Sequence, residues 1–121
     1  MHELSIAQAL IDAACEAAGE SGESRVTKLF VRVGALAGVV PEALLFAFDL
    51  AAEGTLCEGA ELQIERVPLS VHCPQCDAAK ILTDLYSLLC PDCGAGTSTI
   101  LSGRELDLVH VELVAHDPAH C

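Results

Sequence analysis

The sequence predicts an α+β fold with two helices, a small three-stranded antiparallel sheet and a zinc-ribbon module inserted before the last strand. Three observations lead to this prediction. Two segments repeat apolar residues at helical spacing, three segments alternate apolar and polar residues as strands do, and a cysteine-rich stretch interrupts them. Residues 1–69 and 104–121 are therefore expected to form one α/β domain, and residues 70–103 a separate zinc-binding module.

The first helix is predicted to begin near Ser5. Ser5 and Gln8 match a capping box, in which the serine caps the first turn and the glutamine side chain reaches back to it. An apolar stripe at helical spacing follows the cap. It consists of Leu10, Ile11, Ala14, Ala17 and Ala18.

The other elements of the α/β domain follow from the same two patterns. The stretch RVTKLFVRV alternates, so Leu29, Val31 and Val33 share one face of the first strand. Pro41 suits the first position of the second helix. The segments AELQIERV and ELDLVHVELV alternate in turn and predict the second and third strands. The apolar face of the second helix is expected to comprise Leu44, Leu45, Phe48 and Ala52.

Composition and charge exclude several classes of function. The chain has 121 residues, 52% of them hydrophobic, and 18 acidic against 6 basic residues give a formal net charge of −12. An acidic surface repels phosphate backbones, so no nucleic-acid binding is expected, whereas a basic partner or a cationic metal suits it. No apolar run approaches the roughly 18 residues of a membrane span. The start also lacks the basic region of a secretory signal, so a cytoplasmic location is expected.

Four cysteines carry the strongest chemical signal. CPQC at 73–76 and CPDC at 90–93 form two C-x2-C pairs separated by thirteen residues, and a hairpin is expected through residues 81–89. Gly94 is expected to let the second of these turns close. Two such turns favour one shared ion, and a closed sulfur shell indicates structural zinc. Iron in the same sulfur cage, and a pair of redox dithiols, are the alternatives that the spacing leaves open. The predicted ligands are Cys73, Cys76, Cys90 and Cys93.

The amino terminus carries a second, weaker signal for metal binding. The α-amine of Met1, the backbone nitrogen and imidazole of His2, and the backbone nitrogen of Glu3 make a set of four nitrogens. Such a set suits square-planar Ni(II) or Cu(II), which would compete with protons for these ligands. A histidine at position 2 is also an ordinary feature of solvated chain ends, so the residues alone leave both interpretations open.

Two further features are secondary candidates for metal binding. The tail AHDPAHC, with His116, His120 and Cys121, suits either a secondary nickel site or a plain chain end. Glu42 follows the loop that is expected to approach the amino-terminal metal. By contrast, Cys15 lies among alanines and is interpreted as a small buried apolar residue.

The motifs together resemble the HypA/HybF family of nickel metallochaperones for [NiFe]-hydrogenase maturation. The resemblance rests on MHELS at the start, VRVGALAGVVPEALLFAFD after the first helix and the doubled Cys-Pro-x-Cys knuckles, and it covers essentially the whole chain. It implies nickel bound through His2, the Met1 amine and nearby backbone nitrogens, with Glu3 as a supporting residue. The α/β domain would then be the nickel-binding domain, and the four cysteines would hold zinc.

The resemblance also implies partners and a role. Nickel would be cargo for the large subunit of [NiFe]-hydrogenase, delivered with a HypB-type GTPase, and some members of the family act in urease maturation as well. The sequence contains no apparent nucleophile–histidine set and no phosphate-binding glycine loop, so an enzyme is not expected. A homodimer is compatible with the sequence. The competing hypotheses are a zinc-ribbon interaction adaptor without nickel delivery and a thiol oxidoreductase.

Overall fold

The computed structural model of the protein describes residues 2–20 and 24–115. Within these ranges there are two helices, α1 (His2–Glu20) and α2 (Pro41–Ala52). The six strands are β1 (Ser24–Gly34), β2 (Glu61–Val67), β3 (Leu69–Cys73), β4 (Ala78–Leu82), β5 (Thr99–Ser102) and β6 (Leu106–Ala115). Two helices and two small, mostly antiparallel sheets confirm the predicted α+β class, and β3 to β5 are the strands inserted before the last one.

The first sheet has the strand order β2-β1-β6. The Thr27 hydroxyl donates to the carbonyl of Glu112 at 3.1 Å. The Gly34 N–H donates to the carbonyl of Glu105, just before β6, at 2.7 Å. From Thr27 to Gly34 the chain advances seven residues along β1, while the bonded partner moves seven residues back, from Glu112 to Glu105. These two strands are therefore antiparallel, as predicted.

The pairing of β1 with β2 has the opposite sense. Lys28 lies 4.0 Å from Glu61, and Arg32 lies 2.7 Å from Glu65, so the contacts advance equally along both strands. These strands are parallel, and α2 is the crossover connection that a parallel pair requires. The sheet is therefore mixed, where a wholly antiparallel sheet was predicted. Alternation of apolar and polar residues reveals a strand but carries no information about its direction.

The second sheet, with the order β4-β3-β5, lies within the cysteine-rich stretch. Strand β3 pairs antiparallel with β4, where Cys73 faces Ala78, and antiparallel with β5 on its other edge. The CPQC motif therefore forms the turn of the β3–β4 hairpin. The prediction of a hairpin through residues 81–89 is wrong, because β4 ends at Leu82 and residues 83–88 form no strand.

The chain divides into two compact units. The first comprises Met1–Val31, Val39–Ile64 and Leu108–Cys121, and the second comprises Arg32–Gly38 and Glu65–Asp107. In the first unit α1 packs against α2, and Ile11, Leu44 and Phe48 are almost completely buried. In the second unit a small core is formed by Leu69, Val71 and Leu82, with Leu36, Leu88 and Ile100 packed against it. The division into a nickel-binding domain and a zinc-binding module at residues 70–103 stays a prediction.

Helix α1 begins earlier than the sequence predicted. It starts at His2 rather than near Ser5, and the Gln8 side chain donates to Asp12 one turn onward, at 3.0 Å. The capping-box prediction is therefore wrong, because Gln8 makes an (i, i+4) contact on the exposed face instead. The buried stripe is confirmed at Leu10, Ile11, Ala14 and Ala18.

The second helix is also largely as predicted. Pro41 stands at its start, and the buried face includes Leu44, Phe48 and Ala52. Leu45 was expected on that face but is 41% exposed. Neither helix in the described ranges is long and apolar enough to cross a membrane.

Candidate metal centre

The structure brings the four predicted zinc ligands together in the second unit. Each offers one sulfur, and the four sulfurs of Cys73, Cys76, Cys90 and Cys93 all lie within 4.8 Å of one another. Two of the separations are 3.5 Å, for Cys73 to Cys93, and 3.9 Å, for Cys76 to Cys90. A tetrahedral ion with metal–sulfur bonds of about 2.3 Å separates its sulfurs by about 3.8 Å. The four side chains therefore fit a tetrathiolate ion.

The backbone of each knuckle closes through a residue in the left-handed region. Asp77 follows the first C-x2-C pair with φ +50°, and Gly94 follows the second with φ +76°. The Gly94 N–H donates to the carbonyl of Cys90 at 2.9 Å, which closes the second turn. The glycine was predicted for this purpose, whereas the aspartate was not. Short polar side chains such as aspartate adopt this conformation more readily than most, because they bond to the local backbone.

Hydrogen bonds from the first knuckle support the cluster. The Cys76 N–H points at the sulfur of Cys73, at 3.4 Å. The Asp77 carboxylate accepts a hydrogen bond from the ring of His72, with an Nε2 to Oδ1 distance of 3.1 Å. His72, which directly precedes Cys73, is paired with Asp77 and does not belong to the four-cysteine cluster.

Crowding of the four sulfurs makes it unfavourable for all four thiols to ionise without a cation. Hydrogen bonds with the neighbouring thiols of Cys93 and Cys73 raise the pKa of Cys76 to about 12. Burial opposes ionisation of Cys90, yet backbone N–H groups of Cys93 and Asp92 hold its pKa at about 7. Thiols this close cannot all carry charge unless a cation compensates them. A divalent ion at the centre removes this conflict.

A lysine supplies additional positive charge beside the cluster. Lys80, on β4, pairs with the carboxylate of Asp92 in the second knuckle, and this contact raises the lysine pKa. The thiols of Cys76 and Cys90 are further, smaller causes of the same shift. Four thiolates and one divalent ion carry a net charge of −2, so an ammonium group at this position is favourable. The sequence contained no signal for this contact, since the two residues are twelve positions apart.

The amino-terminal candidate site is described in part. Met1 and the side chain of His2 lie outside the described part of the structure, as does the tail with His116, His120 and Cys121. The backbone of residue 2 begins α1, so the described helix starts directly after Met1.

The third residue of the proposed site has a defined contact. The Glu3 carboxylate accepts a hydrogen bond from the N–H of Val40 at 3.2 Å. This bond is the main reason why the pKa of Glu3 is lowered from 4.5. Val40 is the N-cap residue of α2, and its side chain makes no capping hydrogen bond. Glu3 therefore links the beginnings of α1 and α2 and places negative charge where the α2 dipole favours it. Glu42 lies in the first turn of the same helix.

Comparison with known proteins places the chain in a family. Residues 1–113 match the family model described as "Hydrogenase/urease nickel incorporation, metallochaperone, hypA". The chain therefore belongs to the HypA family. Its members are metallochaperones that act as maturation factors rather than enzymes, so the prediction that the chain is not an enzyme is confirmed.

Individual relatives agree over nearly the full length. The chain is 50% identical over 112 residues to the hydrogenase maturation factor HypA of Roseiflexus sp. (strain RS-1), covering 93% of this chain and 91% of that protein. It is 51% identical over 108 residues to the protein of the same name from Deinococcus radiodurans, covering 89% of each. The fold is similar to the solution structure of the Ni metallochaperone HypA from Helicobacter pylori, with a TM-score of 0.64 and 23% identity over 94% of this chain and 98% of that one.

Proposed function

We propose that the chain binds Ni(II) at its amino terminus and delivers it for [NiFe]-hydrogenase maturation, with urease as a second class of recipient. The proposed nickel ligands are the Met1 amine, His2 and nearby backbone nitrogens, with Glu3 as a supporting residue. The observation that carries the proposal is the family match, which spans residues 1–113 and so includes the Met-His-Glu opening.

The described start of α1 supports this choice of ligands. The first N–H groups of an α-helix have no acceptor within the helix, so a metal that takes the backbone nitrogen of residue 2 breaks no helical hydrogen bond. The hydrogen bond between Glu3 and Val40 holds this end of α1 against the beginning of α2. A chelate of this kind is fixed in position by the helix, yet a partner can open it without disturbing a core.

We propose zinc as the resident ion of the four-cysteine cluster. The sulfur separations of 3.5 and 3.9 Å fit a tetrahedral ion, and four sulfur ligands leave no open position for catalysis. Its role is then structural. The small apolar core of the second unit is centred on Leu69, Val71 and Leu82, and a bound ion adds the folding free energy that so small a core lacks.

Delivery requires partners, which we propose to be a HypB-type GTPase and the hydrogenase large subunit. The formal charge of −12 favours a basic docking surface on a partner and disfavours nucleic acid. A homodimer and a cytoplasmic location complete the proposal. Transfer of nickel from the loaded chain to the purified large subunit, with and without the GTPase and GTP, measures the delivery step directly.

The nickel site is tested by replacing histidines in separate parts of the chain. His2→Ala should abolish the specific nickel site in a calorimetric titration while zinc content stays unchanged. His110→Ala is the matched control, because the His110 ring packs at a tilt against Phe30 in the first unit, with ring centroids 5.3 Å apart, and its loss should not affect nickel. The double variant His116→Ala/His120→Ala tests the tail. Wild-type nickel affinity in His2→Ala, or loss of the site in the tail variant, would contradict the proposal.

The zinc site is tested by metal analysis of the purified protein. Wild type should hold one zinc per chain, and the double variant Cys73→Ser/Cys76→Ser should lose it. Cys15→Ser is the matched control, since it removes a thiol that is not in the cluster and should retain zinc. Iron as the resident metal, or stoichiometric zinc in the double variant, would reject the assignment.

A further inference from the structure

The six cysteines that the structure describes as free thiols fall into two groups. Four of them form the metal cluster, and the other two, Cys15 and Cys57, form a separate pair in the first unit. Their sulfurs are 3.8 Å apart, although the residues are 42 positions apart in the chain. The sequence indicated no relationship between them, because Cys15 lies on α1 and Cys57 in the turn after α2.

The two thiols differ in how well they are exposed. Cys57 is completely buried, whereas Cys15 is only partly buried and so accessible to a small reagent. Neither belongs to the proposed nickel or zinc sites. We propose that Cys15 and Cys57 form an intramolecular disulfide when the protein meets a small-molecule disulfide such as oxidised glutathione. The bond would covalently link α1 to the turn that follows α2.

The backbone around Cys57 favours closure of this bond. The Thr55 hydroxyl accepts the Cys57 N–H at 3.0 Å and donates to the carbonyl of Ala52 at 2.7 Å. The Ala60 N–H donates to the carbonyl of Cys57 at 2.9 Å, so the residue is held on both sides. A disulfide bond is about 2.05 Å long, so its closure requires the two sulfurs to approach by roughly 1.8 Å. Reacting groups held this close need little further ordering.

The chemistry proceeds by two exchange steps. The Cys15 thiolate attacks one sulfur of the small disulfide, the S–S bond breaks, and the first small thiol leaves with the proton that Cys15 gave up. The Cys57 thiolate then attacks the Cys15 sulfur of the mixed disulfide, and the second small thiol leaves with the proton of Cys57. The two cysteines are oxidised to one disulfide, and the small disulfide is reduced to two thiols.

The second step should be the slower one. Burial is the largest cause that raises the pKa of Cys57, to about 12 while Cys15 is a free thiol. In the mixed disulfide the contribution of Cys15 is lost, but burial still keeps the pKa of Cys57 above its ordinary value. Only the thiolate reacts, so the closing rate should rise about tenfold for each pH unit well below that pKa. A mixed disulfide on Cys15 should therefore accumulate first near neutral pH and convert faster to the intramolecular bond as the pH is raised.

Trypsin separates every group of cysteines, which makes the test direct. Cleavage after lysine and arginine places Cys15 in residues 1–25 and Cys57 in residues 33–66. The knuckles fall in residues 67–80 and 81–104, and Cys121 falls in residues 105–121. The full-length protein, prepared with zinc, is incubated with oxidised glutathione at about pH 7 and about pH 9, alkylated in denaturant, digested and analysed by mass spectrometry.

The expected product is a linked pair of peptides 1–25 and 33–66, which forms faster at the higher pH and separates on reduction. Cys57→Ala is expected to stop at glutathione on peptide 1–25, and Cys15→Ala is expected to leave peptide 33–66 unmodified. The proposal is overturned if wild-type peptides 1–25 and 33–66 remain unlinked at the higher pH, whether free or each bound to glutathione. Linkage of either peptide to a knuckle or to residues 105–121 in place of the expected pair also overturns it. The wild-type result decides the matter even if a variant folds poorly.

Discussion

Replacing Gly34 with alanine should destabilise the second unit strongly. A Cβ on Gly34 would lie 2.2 Å from both the carbonyl carbon and the oxygen of Gly103, and 2.7 Å from the nitrogen of Arg104. These atoms are backbone, so relief requires the two segments to separate by more than about 1 Å, since ordinary contacts between carbon atoms are about 3.5–4.0 Å. The Gly34 N–H then loses its bond to Glu105, at 2.7 Å, and the Leu36 N–H loses its bond to Gly103, at 2.6 Å.

The magnitude follows from these losses. Two backbone hydrogen bonds contribute about 2 kcal/mol, and forcing extra volume into a packed site costs about 1–3 kcal/mol more. The free energy of unfolding should therefore fall by about 3–5 kcal/mol, a large part of the roughly 5–15 kcal/mol that stabilises a typical domain. Urea unfolding of the zinc-loaded protein, followed by circular dichroism, measures this change.

A second glycine in the same unit provides the control. A Cβ on Gly96 would meet no atom within 4 Å, and Gly96 is exposed. Gly96→Ala should therefore change the free energy of unfolding by no more than about 0.5 kcal/mol. If Gly34→Ala were as stable as Gly96→Ala, the close approach of the two segments in the second unit would be incorrect.

Three further predictions concern the first unit. Phe48→Ala should lower the free energy of unfolding by about 3–5 kcal/mol, whereas Phe46→Ala should change it little, because Phe48 is 1% and Phe46 is 68% exposed. Equal effects of the two variants in urea unfolding would contradict the assigned buried face of α2. Glu3→Gln should lower the urea midpoint at neutral pH, and the difference from wild type should disappear as the pH falls below 4.5. The pKa of Glu3 is lowered in the fold, so its carboxylate stabilises the fold only while it is ionised. A difference in midpoint that persists in acid would exclude this cause. Acidification from about pH 7.5 to about pH 6 should release nickel while zinc stays bound, since the amine and imidazole of the proposed chelate take up protons. A nickel absorbance that stays constant over this range would exclude the chelate.

The sequence predicted those features that depend on local pattern. The buried stripe of α1, Pro41 at the start of α2 and the turn glycine Gly94 are each determined by a few neighbouring residues, and the structure confirms them. The four-cysteine cluster was predictable for the same reason, because each C-x2-C pair determines its own turn. Two such pairs can then bind one shared ion.

Features that depend on distant contacts were not predictable from the sequence. The parallel pairing of β1 with β2 depends on how the chain crosses over through α2, and alternation is the same for either direction. The start of α1 at His2 is accompanied by a hydrogen bond that Glu3 accepts from the N–H of Val40, 37 positions away in the chain. A local capping pattern therefore gave the wrong boundary. The approach of Cys15 to Cys57 is a consequence of how the first unit packs, and neither residue has a motif around it.

The most direct test of the central proposal is whether nickel binding needs a free amino terminus. The native chain and a chain with two extra residues before Met1 are purified side by side, loaded with zinc and titrated with Ni(II) by calorimetry and absorbance. The extension converts the Met1 amine into an amide and leaves every side chain in place. We predict that the native chain binds one nickel with the absorbance of planar nitrogen coordination and that the extended chain loses this site while keeping zinc. Equal nickel affinity and the same absorbance spectrum in both chains would contradict binding at the amino terminus.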